Sequence, residues 1–107
     1  MENYHIAHGT LRVNRDLRQD FDLTFDQACA GLIADPSAEL LIDLTPISYI
    51  SSTYVGMIAA TFFQAQAQGK SLSVRARPAI IRILQNAGFA NFIKLESVPP
   101  PAAPSGA

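Results

Sequence analysis

The sequence predicts an α/β domain in which a mixed β-sheet carries its helices mostly on one face. Two observations support this prediction: the hydrophobic period switches repeatedly between two residues and about 3.6 residues, and glycines and prolines separate the periodic segments. The segments follow the order β-β-α-β-α-β-α-β, and right-handed crossovers between parallel strands place the helices on a common face. A chain of 107 residues is long enough for one domain with a modest core.

The first third of the chain predicts a β-hairpin followed by an amphipathic helix. Residues 4–8 and 11–14 have the composition of two short strands around a turn. Thr24 and Gln27 have the Thr-x-x-Gln spacing of a capping box at a helix start, and Asp35-Pro36-Ser37 is expected to end that helix. Its apolar positions recur at i, i+3, i+4, i+7 and i+8: Phe25, Ala28, Cys29, Leu32 and Ile33.

A buried strand that leads into a hydroxyl-rich helix start is predicted at the centre of the chain. Residues 40–44 are apolar, and Pro46 ends ordinary strand pairing because it lacks an N–H group. From Ser52 the period becomes helical, and the helix is predicted to run to about Gln68, before Gly69. One face of this helix is apolar: Val55, Ile58, Ala59 and Phe62.

The rest of the chain predicts a fourth strand, a third helix and a last strand. Residues 71–75 alternate as a strand does, Pro78 suits the first turn of a helix and Gly88 its end, and residues 92–95 are predicted to form the last strand. The combined pattern predicts one hydrophobic core that includes Leu41, Leu44, Ile58, Phe62, Leu72, Val74 and Leu84.

The domain is predicted to span residues 1–97. Residues 98–107 contain four prolines among small residues, too little apolar area to fold, and are predicted to be a disordered tail.

Composition restricts the classes of function. Charged residues make up 16% of the chain with a net charge of −1, and the basic residues form no dense patch with interleaved aromatics, so nucleic-acid binding is not expected. Cys29 is the only cysteine and is interpreted as a buried small hydrophobe. Because the sequence shows neither a signal peptide nor an apolar stretch of about 20 residues, we expect a cytoplasmic protein without membrane insertion.

Enzyme chemistry is not predicted. The sequence has no Gly-rich phosphate loop, no Cys or His cluster at metal spacing and no Gly-x-Ser-x-Gly motif. A serine hydrolase would require His5 or His8 as a base near Ser51 or Ser52. We therefore expect no catalytic residue, no metal and no cofactor.

Three stretches of sequence are similar to a known family. They are residues 40–56 (LLIDLTPISYISSTYVG), residues 68–74 (QGKSLSV) and residues 80–92 (IIRILQNAGFANF). Together they resemble the STAS domain of bacterial anti-sigma factor antagonists, and the resemblance covers roughly half of the chain. It implies a STAS-like mixed β-sheet with helices mostly on one face.

The resemblance also implies a phosphorylation site. The family signature usually reads Asp-Ser-Ser/Thr-Gly, and a partner kinase phosphorylates the first serine after the aspartate. Aligned on Gly56, Ser52 takes the phosphoserine position and Ser51 replaces the aspartate, while Tyr54 replaces a common glycine. From the residues alone, a hydroxyl at this position is a helix cap provided by Ser51, Ser52 or Thr53. With the resemblance, Ser52 becomes the expected phosphoacceptor, and Ser51 and Thr53 are the alternatives.

The candidate partner-binding residues are Asp16, in the polar loop before the first helix, and five residues at the start of the second helix: Ser51, Ser52, Thr53, Tyr54 and Met57. STAS domains often carry an aspartate at the end of the second strand, and Asp16 is the best match by its distance from Asp43; a solvated loop carboxylate is the alternative. Tyr54 and Met57 are either anchors for a partner or residues at the edge of the core.

The resemblance implies an anti-sigma factor antagonist of bacterial signalling. The unphosphorylated domain would bind an anti-sigma factor with serine-kinase activity and so free a sigma factor for transcription, phosphorylation of Ser52 would release the partner, and a serine phosphatase would reset the system. The alternative is a non-switching STAS module, such as an accessory subunit of a lipid transporter or a scaffold component, in which Ser52 only caps the helix. The sequence does not define the oligomeric state.

Overall fold

A computed structural model describes residues 3–18 and 23–99. Within them, five strands form one sheet and three α-helices and a short 3₁₀ helix connect them. The strands are Tyr4–Ala7 (β1), Thr10–Val13 (β2), Glu39–Asp43 (β3), Ser71–Ala76 (β4) and Lys94–Ser97 (β5), and the helices are Leu23–Ala34 (α1), Ser52–Ala67 (α2), Pro78–Asn86 (α3) and the 3₁₀ helix Phe89–Asn91. The spatial order of the strands follows the chain; β1 is antiparallel to β2, and each later neighbour is parallel.

The sheet buries one face beneath the helices, as predicted. Alternate residues of the central strands are buried in the core: Leu11, Val13, Leu40, Ile42, Leu72, Val74 and Ala76. Leu41 was predicted to belong to this core, and that prediction is wrong. Successive side chains of a strand point to opposite faces, so Leu41, between the buried Leu40 and Ile42, lies half-buried on the open face.

Charges on the open face pair with one another across the strands. Arg12 Nη1 lies 3.5 Å from Asp43 Oδ2, and Arg75 Nε lies 3.3 Å from Glu96 Oε1. These four residues are neighbours in one row of the sheet register. In this row, acidic and basic side chains alternate across the four strands. Asp43 also accepts hydrogen bonds from the backbone N–H and the hydroxyl of Thr45, which shapes the turn after β3.

The turn between β1 and β2 is fixed by a close contact with the segment after α1. His8 and Gly9 have φ values of 54° and 77°, as the two-residue loop of a type I′ hairpin requires. The Gly9 N–H donates to Asp35 Oδ2 at 3.2 Å, and the Gly9 carbonyl accepts from the Leu41 N–H at 2.8 Å. A Cβ atom at Gly9 would lie 2.9 Å from the Cβ of Ser37. Glycine is therefore required here by both its backbone conformation and the available space.

Helices α1 and α3 bury the faces that their sequence periods predict. The prediction for α2 is correct only for Ile58 and Phe62: Val55 and Ala59 are half-buried, and the other buried residues of this helix are Tyr54, Thr61 and Ala65. The buried residues of α1 are the five of the predicted stripe, and those of α3 are Ile80, Ile81 and Leu84. Cys29 is 4% exposed, and burial raises the pKa of its thiol to about 11. The thiol is therefore protonated at neutral pH, in agreement with its interpretation as a small buried hydrophobe.

The last strand begins two residues later than predicted. Gly88 ends α3 with φ 89°, and the 3₁₀ helix Phe89–Asn91 follows at once. Phe92 therefore belongs to the connection, and β5 starts at Lys94. Residues 100–107, most of the predicted disordered tail, lie outside the described residues, so the boundary at residue 97 stays a prediction.

Lys70 holds the C-terminal end of α1. Its Nζ donates to the carbonyl oxygen of Ile33 at 2.6 Å and to that of Asp35. The last carbonyls of a helix lack intrahelical partners, and a cation is favourable at the negative end of the helix dipole. Because Lys70 immediately precedes β4, these bonds fix the end of α1 against the start of that strand.

We expect Lys70→Met to lower the free energy of unfolding by about 1–2 kcal/mol, because it removes two charge-assisted hydrogen bonds to partly buried carbonyls. Lys94→Met is the matched control, because Lys94 is exposed and an exposed substitution changes stability by less than about 0.5 kcal/mol. Urea denaturation of both variants measures the difference. Equal unfolding midpoints would show that Lys70 does not stabilise this junction.

Candidate functional site

The parallel strands β2 and β3 end at the same edge of the sheet, the edge formed by the carboxyl ends of the strands. The loops that follow these two strands pair with each other there. Leu17 and Ile50 form a parallel bridge. The Leu17 N–H donates to the Tyr49 carbonyl at 3.1 Å, and the Ser51 N–H donates to the Leu17 carbonyl at 2.8 Å. Since Ser51 immediately precedes α2, this bridge places the polar loop after β2 beside the start of α2.

Asp16 anchors the loop that leads into α2. Its Oδ1 accepts the Ser48 backbone N–H at 2.8 Å, and its Oδ2 lies 3.4 Å from the Ser48 hydroxyl and 3.2 Å from Arg18 Nη2. The hydrogen bond from the Ser48 backbone is the main cause that lowers the pKa of Asp16; partial burial opposes it and Arg18 assists it. The structure thus brings Asp16 to the edge that carries α2, where its ionised carboxylate orders the chain.

Arg18 and Tyr49 form an exposed pair beside Asp16. The guanidinium carbon of Arg18 lies 4.6 Å from the centroid of the Tyr49 ring, a cation–π distance, and 42% of Tyr49 is exposed. Tyr and Arg are enriched among the residues that dominate binding energy at interfaces. Sequence interpretation did not include either residue in the candidate surface. The available signal was their place in polar loops that follow neighbouring strands at one sheet edge.

Ser52 is the first residue of α2, and it is exposed. Ser51 occupies the N-cap position, and its carbonyl accepts the N–H groups of Tyr54 and Val55 at 3.1 and 3.3 Å. Its hydroxyl makes no capping bond; the oxygen is buried and has no hydrogen-bond partner among the described residues. The expectation of a hydroxyl cap is therefore wrong for Ser51. Thr53 is half-buried, so Ser52 is the most accessible hydroxyl of this triplet.

Tyr54 does not belong to the exposed surface, and its interpretation as a partner anchor is wrong. It is 1% exposed, and its ring packs edge-on against that of Phe25, with 5.2 Å between the centroids. Tyr54 lies one helical turn before the buried Ile58, so it shares the helix face that points to the core. Met57 is half-buried and packs against the core, which leaves only part of its side chain for a partner.

A second exposed apolar feature lies towards the other end of α2. The rings of Phe63 and Phe92 stack with 5.8 Å between their centroids, and they are 57% and 40% exposed. Both also contact the ring of Phe62. They form the outer layer of an aromatic cluster that continues the core, away from Ser52.

No group of three or more His, Cys, Asp and Glu side chains within residues 3–18 and 23–99 is arranged to hold a metal ion. None of the helices in the described parts of the chain has the length and apolarity needed to cross a bilayer.

We expect Asp16→Asn to lower the free energy of unfolding at pH 7 by about 1 kcal/mol, because it weakens a charge-assisted hydrogen bond to a backbone N–H. A lowered pKa in the folded state makes this stabilisation fully present above the ordinary aspartate pKa of about 3.9, and it is lost as the pH falls through the folded value. The difference between parent and variant should therefore shrink below about pH 4.

Denaturation at several pH values measures this effect. Glu39→Gln, which removes a carboxylate at the opposite edge of the sheet, is the control. The anchoring role of Asp16 would be contradicted if the parent and Asp16→Asn had equal free energies of unfolding at pH 7 and again equal free energies of unfolding at pH 3.

Comparisons with known proteins agree with this geometry. A family model described as "Mlab, STAS domain" matches residues 3–96. A crystal structure of TM1081 from Thermotoga maritima, a proposed anti-sigma factor antagonist, has a TM-score of 0.72 and 14% identity over 89% of this chain and 85% of that chain. An NMR structure of TM1081 has a TM-score of 0.68 and 13% identity over 92% and 82%.

At such identities these likenesses establish the fold alone. No curated protein sequence matches the chain significantly. The family model, however, spans almost the whole described domain, from β1 to the third residue of β5, and the mixed sheet with helices mostly on one face is the fold that the sequence resemblance implied. The chain belongs to the STAS domain family.

Proposed function

We propose that this STAS domain is an anti-sigma factor antagonist that binds its partner through the start of α2 and is switched by phosphorylation of Ser52. The observation that supports the proposal most is the exposure of Ser52 at the first position of α2, on an edge built from two paired loops. Likeness to the Thermotoga maritima protein supports an anti-sigma factor as the partner; the serine-kinase activity of that partner is part of the proposal. The setting is the bacterial cytoplasm.

The partner surface consists of the exposed and half-exposed groups around this edge. Asp16, Ser52, Thr53 and the accessible part of Met57 belong to it. Ser51 supports this surface indirectly, because its backbone groups bond to Leu17, Tyr54 and Val55. Hydroxyls, a carboxylate and an apolar side chain are suited to recognition of a protein surface. In the unphosphorylated state this surface holds the anti-sigma factor, which leaves the sigma factor free to direct transcription.

Phosphorylation alters this surface without unfolding the domain. The kinase transfers the γ-phosphoryl group of ATP to the Ser52 Oγ, the hydroxyl proton is lost and ADP leaves; a phosphatase later hydrolyses the ester with water. The phosphate carries about 1.5 to 2 negative charges. The first N–H groups of a helix lack intrahelical acceptors and form the positive end of its dipole, so α2 tolerates the charge. A partner docked on the same edge loses affinity by repulsion and desolvation.

A second candidate is a non-switching STAS module, such as an accessory subunit of a lipid transporter or a scaffold component. Ser51 stands in place of the family's aspartate, and its hydroxyl is buried, so no carboxylate at this position orients the Ser52 hydroxyl. The matching family model is also described as an Mlab domain. In this function the same edge binds its partner permanently, and Ser52 stays unmodified.

We expect Ser52→Ala to fold, to bind the partner and to gain no phosphate, whereas Ser52→Asp should bind at least about tenfold more weakly, a loss of about 1.4 kcal/mol. The added charge lies at the positive end of α2, so the unfolding temperature of Ser52→Asp should stay close to that of the parent. The partner to test is an anti-sigma factor with serine-kinase activity from the same organism. Intact mass after incubation with the kinase and ATP measures phosphorylation, and calorimetry measures binding.

Ser71→Asp is the matched control, because Ser71 is an exposed serine at the start of β4, at the opposite edge of the sheet. This variant should bind as the parent does. Phosphate located on another residue, or equal binding by phosphorylated and unphosphorylated parent, would reject the switch and favour the non-switching module.

A further inference from the structure

Arg18 lies next to the proposed phosphorylation site, although it is far from it in sequence. The parallel bridge pairs Leu17 with Ile50, and the Ser51 N–H donates to the Leu17 carbonyl. Arg18 thus follows a residue that is hydrogen-bonded to Ser51, the residue before the exposed Ser52. The backbone of Arg18 is therefore close to the start of α2, although its guanidinium contacts Asp16 and Tyr49.

The guanidinium of Arg18 is held only by exposed contacts. It lies 3.2 Å from Asp16 Oδ2 and 4.6 Å from the ring centroid of Tyr49, and 64% of the side chain is exposed. Exposed ion pairs and cation–π contacts are weak. The guanidinium can therefore exchange partners without leaving solvent or breaking the fold.

The other arginines near this edge are less well placed. Arg77 Nε donates to the Thr45 carbonyl at 2.9 Å, and its Nη2 donates to the Pro46 carbonyl at 3.4 Å, so its donors already hold the loop after β3. Arg15 lies two residues before the bridged Leu17, further from Ser52 along this pairing than Arg18. Arg18 therefore combines a backbone position next to the residue bonded to Ser51 with a guanidinium held only by exposed contacts.

We propose that Arg18 binds the phosphate on Ser52 and thereby releases Tyr49, so that phosphorylation rearranges the partner surface as well as charging it. This inference rests on the proposed phosphorylation of Ser52. A phosphate carries more negative charge than the Asp16 carboxylate, and its oxygens match the two-pronged donor geometry of arginine. The guanidinium leaves the Tyr49 ring for the phosphate, while Asp16 keeps its bond from the Ser48 backbone.

The rearrangement gives the switch a second component. In the unphosphorylated protein, Arg18 lies over the exposed ring of Tyr49 and favours one orientation of that ring at the surface. A rigid aromatic side chain is an effective interface anchor because little conformational entropy is lost when it is bound. After phosphorylation the ring loses this support, and the partner loses an ordered anchor in addition to meeting the phosphate charge.

The experiment uses full-length protein in which phosphoserine is installed at position 52 during synthesis, so that it does not depend on the natural kinase. ³¹P NMR titration gives the pKa of the phosphate in three backgrounds: parent, Arg18→Gln and Lys94→Gln. The last variant removes one positive charge at the start of β5, at the opposite sheet edge. We expect the pKa to be the same in parent and Lys94→Gln and higher by about half a unit or more in Arg18→Gln, a change of about threefold in the ionisation constant.

The ring of Tyr49 supplies an independent readout. Its ring-proton resonances should shift when Ser52 is phosphorylated in the parent, and this shift should be largely absent in Arg18→Gln. Arg18→Lys keeps the positive charge but not the two-pronged donor geometry, so the lysine should lower the phosphate pKa less than Arg18 does. If Arg18→Gln does not fold, Arg18→Lys is compared with the parent instead.

The assignment of Arg18 would be overturned if the phosphate pKa were the same in Arg18→Gln and Lys94→Gln. It would also be overturned if the Tyr49 resonances did not shift when Ser52 is phosphorylated. That result would leave the proposed function intact, because kinase-dependent mass change and partner release test it separately. Conversely, if the kinase does not modify Ser52, the proposed function is rejected, even if Arg18 binds the installed phosphate.

Discussion

The parallel pairing of β2 with β3, continued past the strands by the Leu17–Ile50 bridge, is the constraint on which the candidate surface depends. It brings the ends of two strands to one edge and aligns the loops that follow them. Asp16 reaches the Ser48 backbone only because this register holds. The same register sets where α2 begins, and so where its exposed first residue points.

The one-sided sheet explains why the candidate surface lies at an edge. One face is filled by the helices, and the open face neutralises its own charges through cross-strand pairs such as Arg12 with Asp43. The carboxyl edge instead presents N–H groups of a helix start, hydroxyls and an ordered carboxylate. This chemistry suits binding of a protein partner and acceptance of a phosphate.

In the proposed switch, the fold and the surface respond differently to the same charge. The positive end of the α2 dipole favours a phosphate on the first turn of the helix, so phosphorylation of Ser52 is expected to leave the core folded. The exposed contacts of Arg18 with Asp16 and Tyr49 are weak enough to be exchanged. The change is thereby confined to the side chains that a partner would touch.

The sequence by itself determined the order of strands and helices, the buried faces of α1 and α3 and the position of Ser52 at the start of α2, because these follow from hydrophobic period and local turn chemistry. It identified Asp16 as a candidate but not its bond to Ser48, and it missed Arg18 with Tyr49, because such pairs depend on the register between loops distant in the chain. It left Tyr54 open between a partner anchor and the edge of the core, and it placed Leu41 in the core; tertiary structure buries Tyr54 and leaves Leu41 on the open face. Only packing against one side of the sheet decides which residues of a first helical turn or an apolar strand are buried.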